Sequence, residues 1–502
     1  MHSGIKFKKA LERIEQAEKT IDITKIYFED ISVWPLIRLH IFKSWIASGL
    51  QSHPKSKNKI PAPSLSLIKR LWLKVYERIK HLIARQTLIR EGKNKIWFLP
   101  GVLSHGEDSL DGWYDKFADA YRLISNRKDI FKLTLHGNKG LEGCAFPTSH
   151  YSLRHLYYRA YCRYLKNPFR LDDLDGAQEI RSLFDHKENE IEQALGPELF
   201  QLLTFAEDFT YLLRKAKPKA IFVICYYSVT NMAIILAAKR LNIPVIDVQH
   251  GKQGKYNISY THFTRMPNNG WNLLPDFFWC WGKQSVINIS KHMPPERTTH
   301  FPHAIGYMWL ALWKFGQPIN IPDEHTNFLK EIKHASKRIL VTLQPLSDPL
   351  HPTLIDAMKE APTNWLWLIR MHPNMVVTRD EIANRLEQVA KDKFELTFSS
   401  NLSLYPLLKA SDHHVTAWSS VGYEATEFGI GTTIFDKTGL ELYVEEIGSK
   451  QFSYADSGNS LLEIIETSNK EELQISPPYI ISDLEKLTSS IDTVSRKTPG
   501  LQ

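Results

Sequence analysis

Two short motifs in the second half of the chain combine residue types that suit the binding of a phosphate. The first is Arg370-Met371-His372-Pro373, where a guanidinium can bind an oxyanion with two hydrogen bonds and an imidazole can donate another. The second is Ser419-Ser420-Val421-Gly422-Tyr423-Glu424, which is typical of a helix start. Free backbone N–H groups at a helix start favour an anion, and glycine allows a close backbone approach. Together the motifs predict a nucleotide site made by Arg370, His372, Pro373, Ser419, Ser420, Gly422 and Glu424, with Glu424 directed at ribose hydroxyls.

Each motif alone also fits a structural role, because a serine is an ordinary N-cap and an arginine at a strand end can pair with an acid. A shared site is favoured because both motifs directly follow apolar runs, at 365–369 and 414–417, that predict buried parallel strands. The carboxyl ends of parallel strands meet at one edge of a sheet. We expect Gln344, at the tip of a third run, at the same edge. We also expect Arg370 and His372, two residues apart, to share a face.

Apolar runs alternate with helical patterns along most of the chain, which predicts an α/β protein with doubly wound parallel sheets. The alternation begins at 95, breaks at a polar helical stretch near 316–336 and starts again at 338. We therefore predict two Rossmann-like domains that face a cleft, at 95–315 and 316–475. A basic helical extension at 1–94 precedes them, and a polar tail at 476–502 follows.

In the first domain, residues with chemical potential follow two of the predicted strands. The first strand, near 95–100, leads into a loop with Asp108 and Asp111, which can cap the next helix or serve as a general base in the cleft. The strand at 243–248 leads into Gln249-His250-Gly251-Lys252. Glycine permits a tight turn there, while His250 and Lys252 can meet an anionic group. We predict that these side chains line the cleft opposite the nucleotide.

The composition, with 43% hydrophobic and 24% charged residues, is that of a folded globular protein and excludes a disordered chain. No apolar run approaches the ~20 residues that span a bilayer. The first residues lack the apolar stretch of a secretory signal, so we expect a cytoplasmic protein. The four cysteines are widely separated, which predicts reduced thiols in place of disulfides or a cysteine zinc site.

The net charge of +8 has a local origin, because residues 51–95 contain twelve Lys or Arg and two Glu. Within this segment, 66–90 has apolar residues at helical spacing among many cations. Such a helix can lie on the anionic inner face of a membrane, and it can equally pack on its own protein with a solvated basic face. Because the charge is local, we expect no nucleic acid partner.

With both motifs in the second of two Rossmann-like domains, the chain resembles the GT-B glycosyltransferases of bacterial capsule, O-antigen and lipooligosaccharide synthesis over residues 95–465. The motifs are most similar to those of enzymes that use CMP-activated 2-keto sugars, the sialyl and Kdo transferases, and of the related CDP-glycerol transferases. In those enzymes a His-Pro motif contacts the cytidine nucleotide and a Ser pair contacts its phosphate. The resemblance implies these roles for His372-Pro373 and Ser419-Ser420, with 95–315 as the acceptor side and 316–475 as the donor side.

Two departures from the family pattern leave the chemistry open. Sialyltransferases of this type carry an acid-acid-Gly motif whose acid is the general base, whereas Glu107-Asp108 is followed by Ser109 and the acid-Gly step is Asp111-Gly112. The base is therefore either Asp108 or Asp111, with His250 as a further catalytic candidate. The Glu-x7-Glu pattern of many retaining GT-B enzymes is also absent.

We predict a GT-B glycosyltransferase that transfers a sugar from a CMP-activated donor, such as Kdo or sialic acid, to a bacterial surface polysaccharide or lipid-linked glycan. Its partners are then a nucleotide-sugar donor and a glycan acceptor. It needs no cofactor and no metal, since basic groups and a helix start can compensate the charge of the leaving phosphate. The alternatives are a transferase that uses a UDP-sugar or CDP-glycerol, a GT-B-fold UDP-sugar epimerase, and a non-catalytic partner in glycan assembly.

Overall fold

The computed structural model describes residues 4–47, 67–100, 105–107, 112–135, 144–184, 188–315, 321–346, 348–373, 375, 377–468 and 479–501 of the 502-residue chain. Two parallel sheets organise these residues, one of seven strands and one of six. Central strands such as Ile96–Leu99 and Ala220–Val223 are buried along their whole length, which requires cover on both faces of the sheet. The predicted α/β class with two Rossmann-like domains is confirmed.

The N-terminal extension is a mainly helical layer that shares the core of the first domain. It consists of α1 (Gly4–Thr20), β1 (Tyr27–Phe28), β2 (Ile31–Ser32), α2 (Trp34–Ala47) and α3 (Leu67–Gly92), with a 3₁₀ turn at Ile23–Lys25. α2 is apolar on nearly all sides, and its residues from Trp34 to Phe42 are buried except His40. A helix of this kind is stable only inside a larger core.

The first sheet has the strand order β11-β10-β9-β8-β3-β6-β7, and every neighbouring pair is parallel. The order of successive strands reverses once, between β3 and β8, as in dinucleotide-binding folds. Its strands are β3 (Ile96–Leu99), β6 (Ile130–Thr134), β7 (Thr148–His150), β8 (Ala220–Val223), β9 (Val245–Val248), β10 (Phe277–Cys280) and β11 (Phe301–Ala304). A small antiparallel pair, β4 (His105–Glu107) and β5 (Tyr114–Asp115), follows β3.

Helices connect the strands of the first sheet. They are α4 (Ala118–Ser125), α5 (Arg154–Lys166), α6 (Ala177–Arg181), α7 (Glu188–Ala216), α8 (Val229–Lys239), α9 (Lys283–Lys291) and α10 (Met308–Lys314), with 3₁₀ turns at Leu171–Asp173 and Ser182–Phe184. Local signals explain several starts. Ser228, for example, caps α8 by accepting a hydrogen bond from the backbone N–H of Asn231 at 3.2 Å.

The second sheet repeats this plan with the order β14-β13-β12-β15-β16-β17, again parallel throughout. Its strands are β12 (Lys337–Thr342), β13 (Trp365–Arg370), β14 (Phe394–Glu395), β15 (His413–Thr416), β16 (Gly431–Ile434) and β17 (Phe452–Tyr454). Its helices are α11 (Asp323–Glu331), α12 (Pro352–Glu360), α13 (Arg379–Ala390), α14 (Thr397–Asn401), α15 (Leu404–Ala410), α16 (Val421–Thr426), α17 (Lys437–Leu442), α18 (Val444–Gly448) and α19 (Gly458–Thr467), with a 3₁₀ turn at Ile332–His334. The predicted boundaries at 95, 316 and 476 stay a prediction.

The end of the chain, expected from its polarity to be a tail, contains the helix α20 (Leu484–Lys497), which packs on the first domain. Leu487, Ile491 and Val494 recur at helical spacing and are buried among polar neighbours. The backbone N–H of Tyr307 donates to the carbonyl of Ile481 at 2.9 Å. The last turn of the chain is therefore part of a folded core.

A buried ion pair joins the N-terminal layer to the loop that follows β9. Glu18 and Arg38 have no solvent exposure, and Glu18 Oε1 lies 3.5 Å from Arg38 Nε. Arg38 Nη2 donates to the carbonyl oxygens of Thr261, at 3.1 Å, and His262, at 2.7 Å. Glu18 Oε2 accepts from the backbone N–H of Thr264 at 2.7 Å. The pair thus binds the loop through both its positive and its negative member.

Within the described ranges, none of the helices has the combined length and apolarity of a membrane span.

We predict that Arg38→Met lowers the free energy of unfolding by about 3–5 kcal/mol, because it leaves the charge of Glu18 buried without its partner. The control is Arg240→Met, which removes a partly exposed ion pair with Asp30 and is expected to cost about 1 kcal/mol or less. Urea titrations followed by fluorescence compare the two variants. Equal losses would contradict the role given to the buried pair.

Candidate functional site

The carboxyl ends of β12, β13 and β15 bring three of the predicted residues to one edge of the second sheet. β12 lies between β13 and β15, and Gln344, His372 and Ser419 follow these strands within three residues. The strand order reverses between β12 and β15, which is where doubly wound sheets bind their ligands. The expectation that both motifs emerge at one sheet edge is confirmed.

Arg370 has protein partners that the sequence did not indicate. Its Nη1 donates hydrogen bonds to the carbonyl oxygens of Ser399, at 2.9 Å, and Leu402, at 2.5 Å. These carbonyls belong to the end of α14, where the last C=O groups have no partner within the helix. β13 ends at Arg370, so His372 lies beyond the strand, and the expectation that the two side chains share a face stays a prediction. Binding of a nucleotide by Arg370 stays a prediction, with Nη1 already bonded to the protein.

Ser419 and Ser420 form the turn between β15 and α16. The Ser419 hydroxyl oxygen accepts from the backbone N–H of Val421 at 3.3 Å, and the backbone N–H of Ser419 donates to Thr416 Oγ1 at 3.2 Å. Ser420 is the N-cap of α16, yet its hydroxyl makes no capping hydrogen bond. Because α16 has only six residues, its dipole adds little to the attraction for a phosphate. For binding a phosphate, the Ser420 hydroxyl therefore matters more as a hydrogen-bond donor than the dipole of α16 does.

Gly422 and Glu424 lie against the protein interior. A Cβ atom on Gly422 would come within 2.8 Å of Phe452 Cζ and 3.1 Å of Thr432 Cγ2, so helix-to-sheet packing explains the glycine. Glu424 is 5% exposed and accepts a hydrogen bond from the Tyr405 hydroxyl at 2.7 Å. The close approach of ligand to Gly422 and the ribose contact of Glu424 were expected from helix position alone. Both stay predictions, beside the structural roles seen here.

The other predicted nucleotide residues are partly exposed at the same edge. Burial lowers the pKa of His372, so its imidazole is neutral at neutral pH and can both donate and accept a hydrogen bond. Pro373 is exposed directly after it. Gln344 is half-buried, and its Nε2 donates to the Leu343 carbonyl at 3.2 Å.

In the first domain, His250 follows β9 and contacts two residues that follow β8. Its Nε2 lies 3.2 Å from Cys225 Sγ and 3.5 Å from the Tyr227 hydroxyl oxygen. Solvent reaches the imidazole, but the surrounding cleft walls desolvate it and lower the pKa of His250 to about 4. Burial, and then the charge of Asp247, raise the pKa of Cys225 to about 12. At neutral pH the pair is a thiol and a neutral imidazole, so His250 can accept a proton.

The buried carboxyl group of Asp247 stabilises the turn after β8 that contains Cys225. Asp247 has no solvent exposure and accepts hydrogen bonds from the backbone N–H of Tyr226, at 3.0 Å, and the Tyr260 hydroxyl, at 2.8 Å. Burial raises the pKa of Asp247 to about 7, while the Tyr260 hydrogen bond acts in the opposite direction. By holding Tyr226, Asp247 fixes the turn in which Cys225 adopts a φ of 59°, in the left-handed region.

Sequence reasoning missed Cys225 and Tyr227 as neighbours of His250. The signal that could have found them is their position after a buried strand, since ligands of doubly wound sheets bind outside the carboxyl ends of the strands.

The His250 turn of the first domain meets the serine turn of the second. A Cβ atom on Gly251 would lie 3.8 Å from Ser420 Oγ. Next along the chain, Lys252 Nζ donates to the Leu442 carbonyl at 2.6 Å and pairs with Glu446 at 3.0 Å. Lys252 thus joins the two domains. The sequence had instead predicted that Lys252 contacts an anionic ligand. A cavity of about 270 Å³ opens beside this junction, between the loop 254–258, Trp418 and α18.

The predicted general bases Asp108 and Asp111 lie outside the described residues and stay predictions. The segments that flank them, β4 and β5, pair with each other after the carboxyl end of β3. Because β3 is the neighbour of β8 in the sheet, the carboxyl end of β3 lies next to the strand that precedes Cys225.

One candidate metal-ligand cluster lies within the described residues, and it is formed by Glu15, His262 and His292. It belongs to α1, the loop after β9 and the end of α9, and includes none of the residues predicted to bind the nucleotide.

No family model matches the chain, and no curated protein matches its sequence. Solved structures match it in fold. A putative UDP-N-acetylglucosamine 2-epimerase from Listeria monocytogenes gives a TM-score of 0.51 at 13% identity, over 82% of this chain and 99% of that one. A UDP-GlcNAc 2-epimerase from Methanocaldococcus jannaschii gives 0.50 at 11% identity, over 80% and 99%. At such low identity the similarity establishes the fold, and the predicted GT-B-like architecture is confirmed.

We predict that Gly422→Ala lowers the free energy of unfolding by about 1–3 kcal/mol, because its Cβ would overlap Phe452 and Thr432. Gly448→Ala in the same domain is the control, since a Cβ there meets nothing within 4 Å. Thermal and chemical unfolding measure both variants. Full stability of Gly422→Ala together with a loss of nucleotide affinity would instead favour the ligand role expected from sequence.

Proposed function

We propose that this protein is a nucleotide-sugar enzyme that binds a UDP-sugar between its two domains and epimerises the sugar. The observation that carries the proposal is the approach of the Gly251 turn to Ser420, at the point where the strand order of the second sheet reverses. Solved structures of the same fold are named as UDP-GlcNAc 2-epimerases. This supports a UDP-sugar over the CMP-sugar that the motifs suggested.

In this proposal the second domain holds the nucleotide. His372 and Pro373 contact the base, as the resemblance of the His-Pro motif implied. The turn at Ser419 and Ser420 donates hydrogen bonds to the diphosphate through hydroxyl and backbone N–H groups. Gln344 lies at the end of the adjacent strand and supplies a further amide. The contacts predicted for Arg370, Gly422 and Glu424 are secondary, because these residues already pack or bond within the protein.

The first domain supplies the acid–base groups. Epimerisation removes a proton from one face of a sugar carbon and returns a proton to the other, so two such groups are needed. His250 is one, because its Nε2 lies beside the cleft, 3.2 Å from Cys225 Sγ, and the imidazole is unprotonated at neutral pH and so has a lone pair for the proton. Asp108 or Asp111, in the loop after β3, is the other. The scheme assigns no step to a metal or an organic cofactor.

A glycosyltransferase is the second candidate. The epimerase structures align over 99% of their own length but only 80–82% of this chain, so about a fifth of the chain has no counterpart in them. Additional segments suit an enzyme that must also hold a glycan acceptor, such as a capsule polysaccharide, O-antigen or lipopolysaccharide precursor. The donor would be CMP-activated Kdo or sialic acid, another UDP-sugar, or CDP-glycerol. A non-catalytic role in glycan assembly is a further alternative.

Calorimetric titration with UDP, UDP-GlcNAc, CMP and a CMP-sugar tests the ligand. We expect UDP and UDP-GlcNAc to bind at least about tenfold more tightly than the cytidine compounds. The double variant Ser419→Ala and Ser420→Ala should weaken UDP binding by about tenfold. Ser457→Ala, which removes the helix-capping serine of α19 in the same domain, should leave it unchanged. Binding of CMP without binding of UDP would contradict the proposal.

Proton NMR of UDP-GlcNAc in deuterated water, without any acceptor, tests the reaction. We expect the C-2 epimer to form and to carry deuterium at the inverted carbon. His250→Gln should slow this conversion by about 100-fold or more while UDP still binds. Consumption of the UDP-sugar only after a glycan acceptor is added would identify a transferase, and inertness under both conditions a non-catalytic role.

We also propose that α3 contacts the anionic inner face of a membrane from the cytoplasmic side. α3 contains seven Lys or Arg and two Glu. Val75, Ile79, Leu82 and Ile83 are 47–63% exposed and recur at helical spacing, so they form one apolar stripe. A basic helix with an apolar stripe suits the headgroup region of anionic lipid. His81 and Leu88 are buried against the first domain, which attaches the helix to the enzyme.

Sedimentation with vesicles of phosphatidylcholine, with and without phosphatidylglycerol, tests this contact. The protein should sediment only with the anionic vesicles, and Ile79→Ser combined with Ile83→Ser should reduce the bound fraction by about tenfold. The control is Ile287→Ser on α9, which removes a side chain that is 51% exposed. Equal binding to both vesicle types, or no effect of the double variant, would contradict membrane contact.

A further inference from the structure

Glu15, His262 and His292 bring metal-binding groups together from three separate segments. Glu15 lies in α1, His262 in the loop after β9, and His292 at the end of α9. One ligand atom of each residue lies within 4.8 Å of the others. The two imidazole ring centres are 4.2 Å apart. Neither histidine has a role in the proposed reaction.

The hydrogen bonds of His262 define which of its ring nitrogens can bind a cation. Nε2 lies 2.6 Å from the backbone carbonyl oxygen of Lys255, which can only accept, so Nε2 carries a proton. Nδ1 faces the carboxylate of Glu15, another group that can only accept. A lone pair on Nδ1 that faces a carboxylate is repelled by it. In the structure the two groups are in direct hydrogen-bond contact, so a proton lies between them, and a bound metal ion would take the place of that proton.

We infer that a divalent transition-metal ion, with Zn²⁺ as the best match, binds between Glu15, Nδ1 of His262 and His292. Two imidazoles and one carboxylate are a common zinc ligand set, with a fourth position left for water. Histidine ligands usually donate their other ring N–H to a carbonyl or carboxylate, as His262 does to Lys255. Tetrahedral zinc needs ligand atoms about 3.4 Å apart, so the side chains of Glu15 and His262 would have to move apart by about 1 Å to admit the ion.

The backbone around His262 is held before any ion binds. Its carbonyl accepts from Arg38 Nη2 at 2.7 Å, and its φ of 62° lies in the left-handed region. The next residue, Phe263, donates its backbone N–H to the carbonyl of His292 at 2.8 Å. The hydrogen bond between the backbones of Phe263 and His292 holds the two histidines next to each other. This lowers the entropy cost of assembling the site.

The ion would join the N-terminal layer to the first domain and lies outside the reaction proposed above. Glu15 is one turn of α1 before Glu18, so the metal and the buried ion pair would hold the same helix against the same loop. The alternative is an ion pair between a doubly protonated His262 and Glu15, with no metal. The two alternatives differ in metal content.

Elemental analysis of the full-length, untagged protein, purified without chelator, tests the inference. We expect about one zinc ion per chain. After removal of metal with EDTA, Zn²⁺ in about hundredfold excess over its Kd should raise Tm by about 4 °C, whereas Mg²⁺ should not. Zinc below about 0.1 per chain, with no effect of added Zn²⁺ on Tm, would overturn the inference and leave the ion pair.

Matched variants locate the ion. His292→Gln and Glu15→Gln should each abolish stoichiometric zinc and the Tm response to Zn²⁺. Two separate variants are used so that poor folding of one leaves the other to decide. His155→Gln, in which the lost ring is half-buried and 5.0 Å from His81, should retain both properties. Unchanged zinc in His292→Gln and Glu15→Gln would overturn the assignment to this cluster.

Discussion

The ion pair between Glu18 and Arg38 supports a long segment that has no helix or strand of its own. Between the end of β9 at Val248 and the start of β10 at Phe277 the chain forms neither helix nor strand. Loops of this length are uncommon in compact domains, because buried backbone groups need partners. Arg38 supplies donors to two loop carbonyls, and Glu18 accepts a loop N–H. Burial of each charge is tolerated because the other is beside it.

The same loop begins with the residues that form one wall of the cleft. Gly251 approaches the serine turn, and Lys252 pairs with Glu446 in the second domain. The contact continues through the stacked rings of Tyr423 and Tyr479, 3.7 Å apart, and through the Tyr479 hydroxyl, which accepts from the backbone N–H of Gln253 at 3.2 Å. The N-terminal layer therefore holds the middle of the same loop whose first residues meet the second domain.

The sequence predicted the central strands of both sheets and the edge strand β14, but it did not predict the other three edge strands, for one physical reason. A central parallel strand is buried on both faces and appears as a continuous apolar run, as in β3, β8 and β13. The strands β7, β11 and β17 lie at sheet edges, are short and include polar residues such as His150, His303 and Ser453. They lack that apolar signal, and they were missed.

The candidate site likewise has features that the sequence could predict and features that it could not. Strand-end position is a local property, so the common edge of Gln344, His372 and Ser419 could be predicted. The partners of individual side chains are not local. Lys252 binds Glu446, 194 positions away, and Arg370 binds carbonyls 29 and 32 positions away. A helical or strand pattern contains no information about such pairs. The sequence therefore could not show that these cationic residues, which were expected to bind a ligand, are hydrogen-bonded within the protein.

Because α20 packs on the first domain, that domain is built from two separate parts of the chain. The chain leaves it after α10, builds the whole second sheet, and comes back to place Leu487 against Gly306 and Gly500 against the Lys219 carbonyl. The first domain is thus a discontinuous folding unit that cannot be completed until α20 has been synthesised. The chain therefore passes between the two domains twice, once after α10 and once before α20.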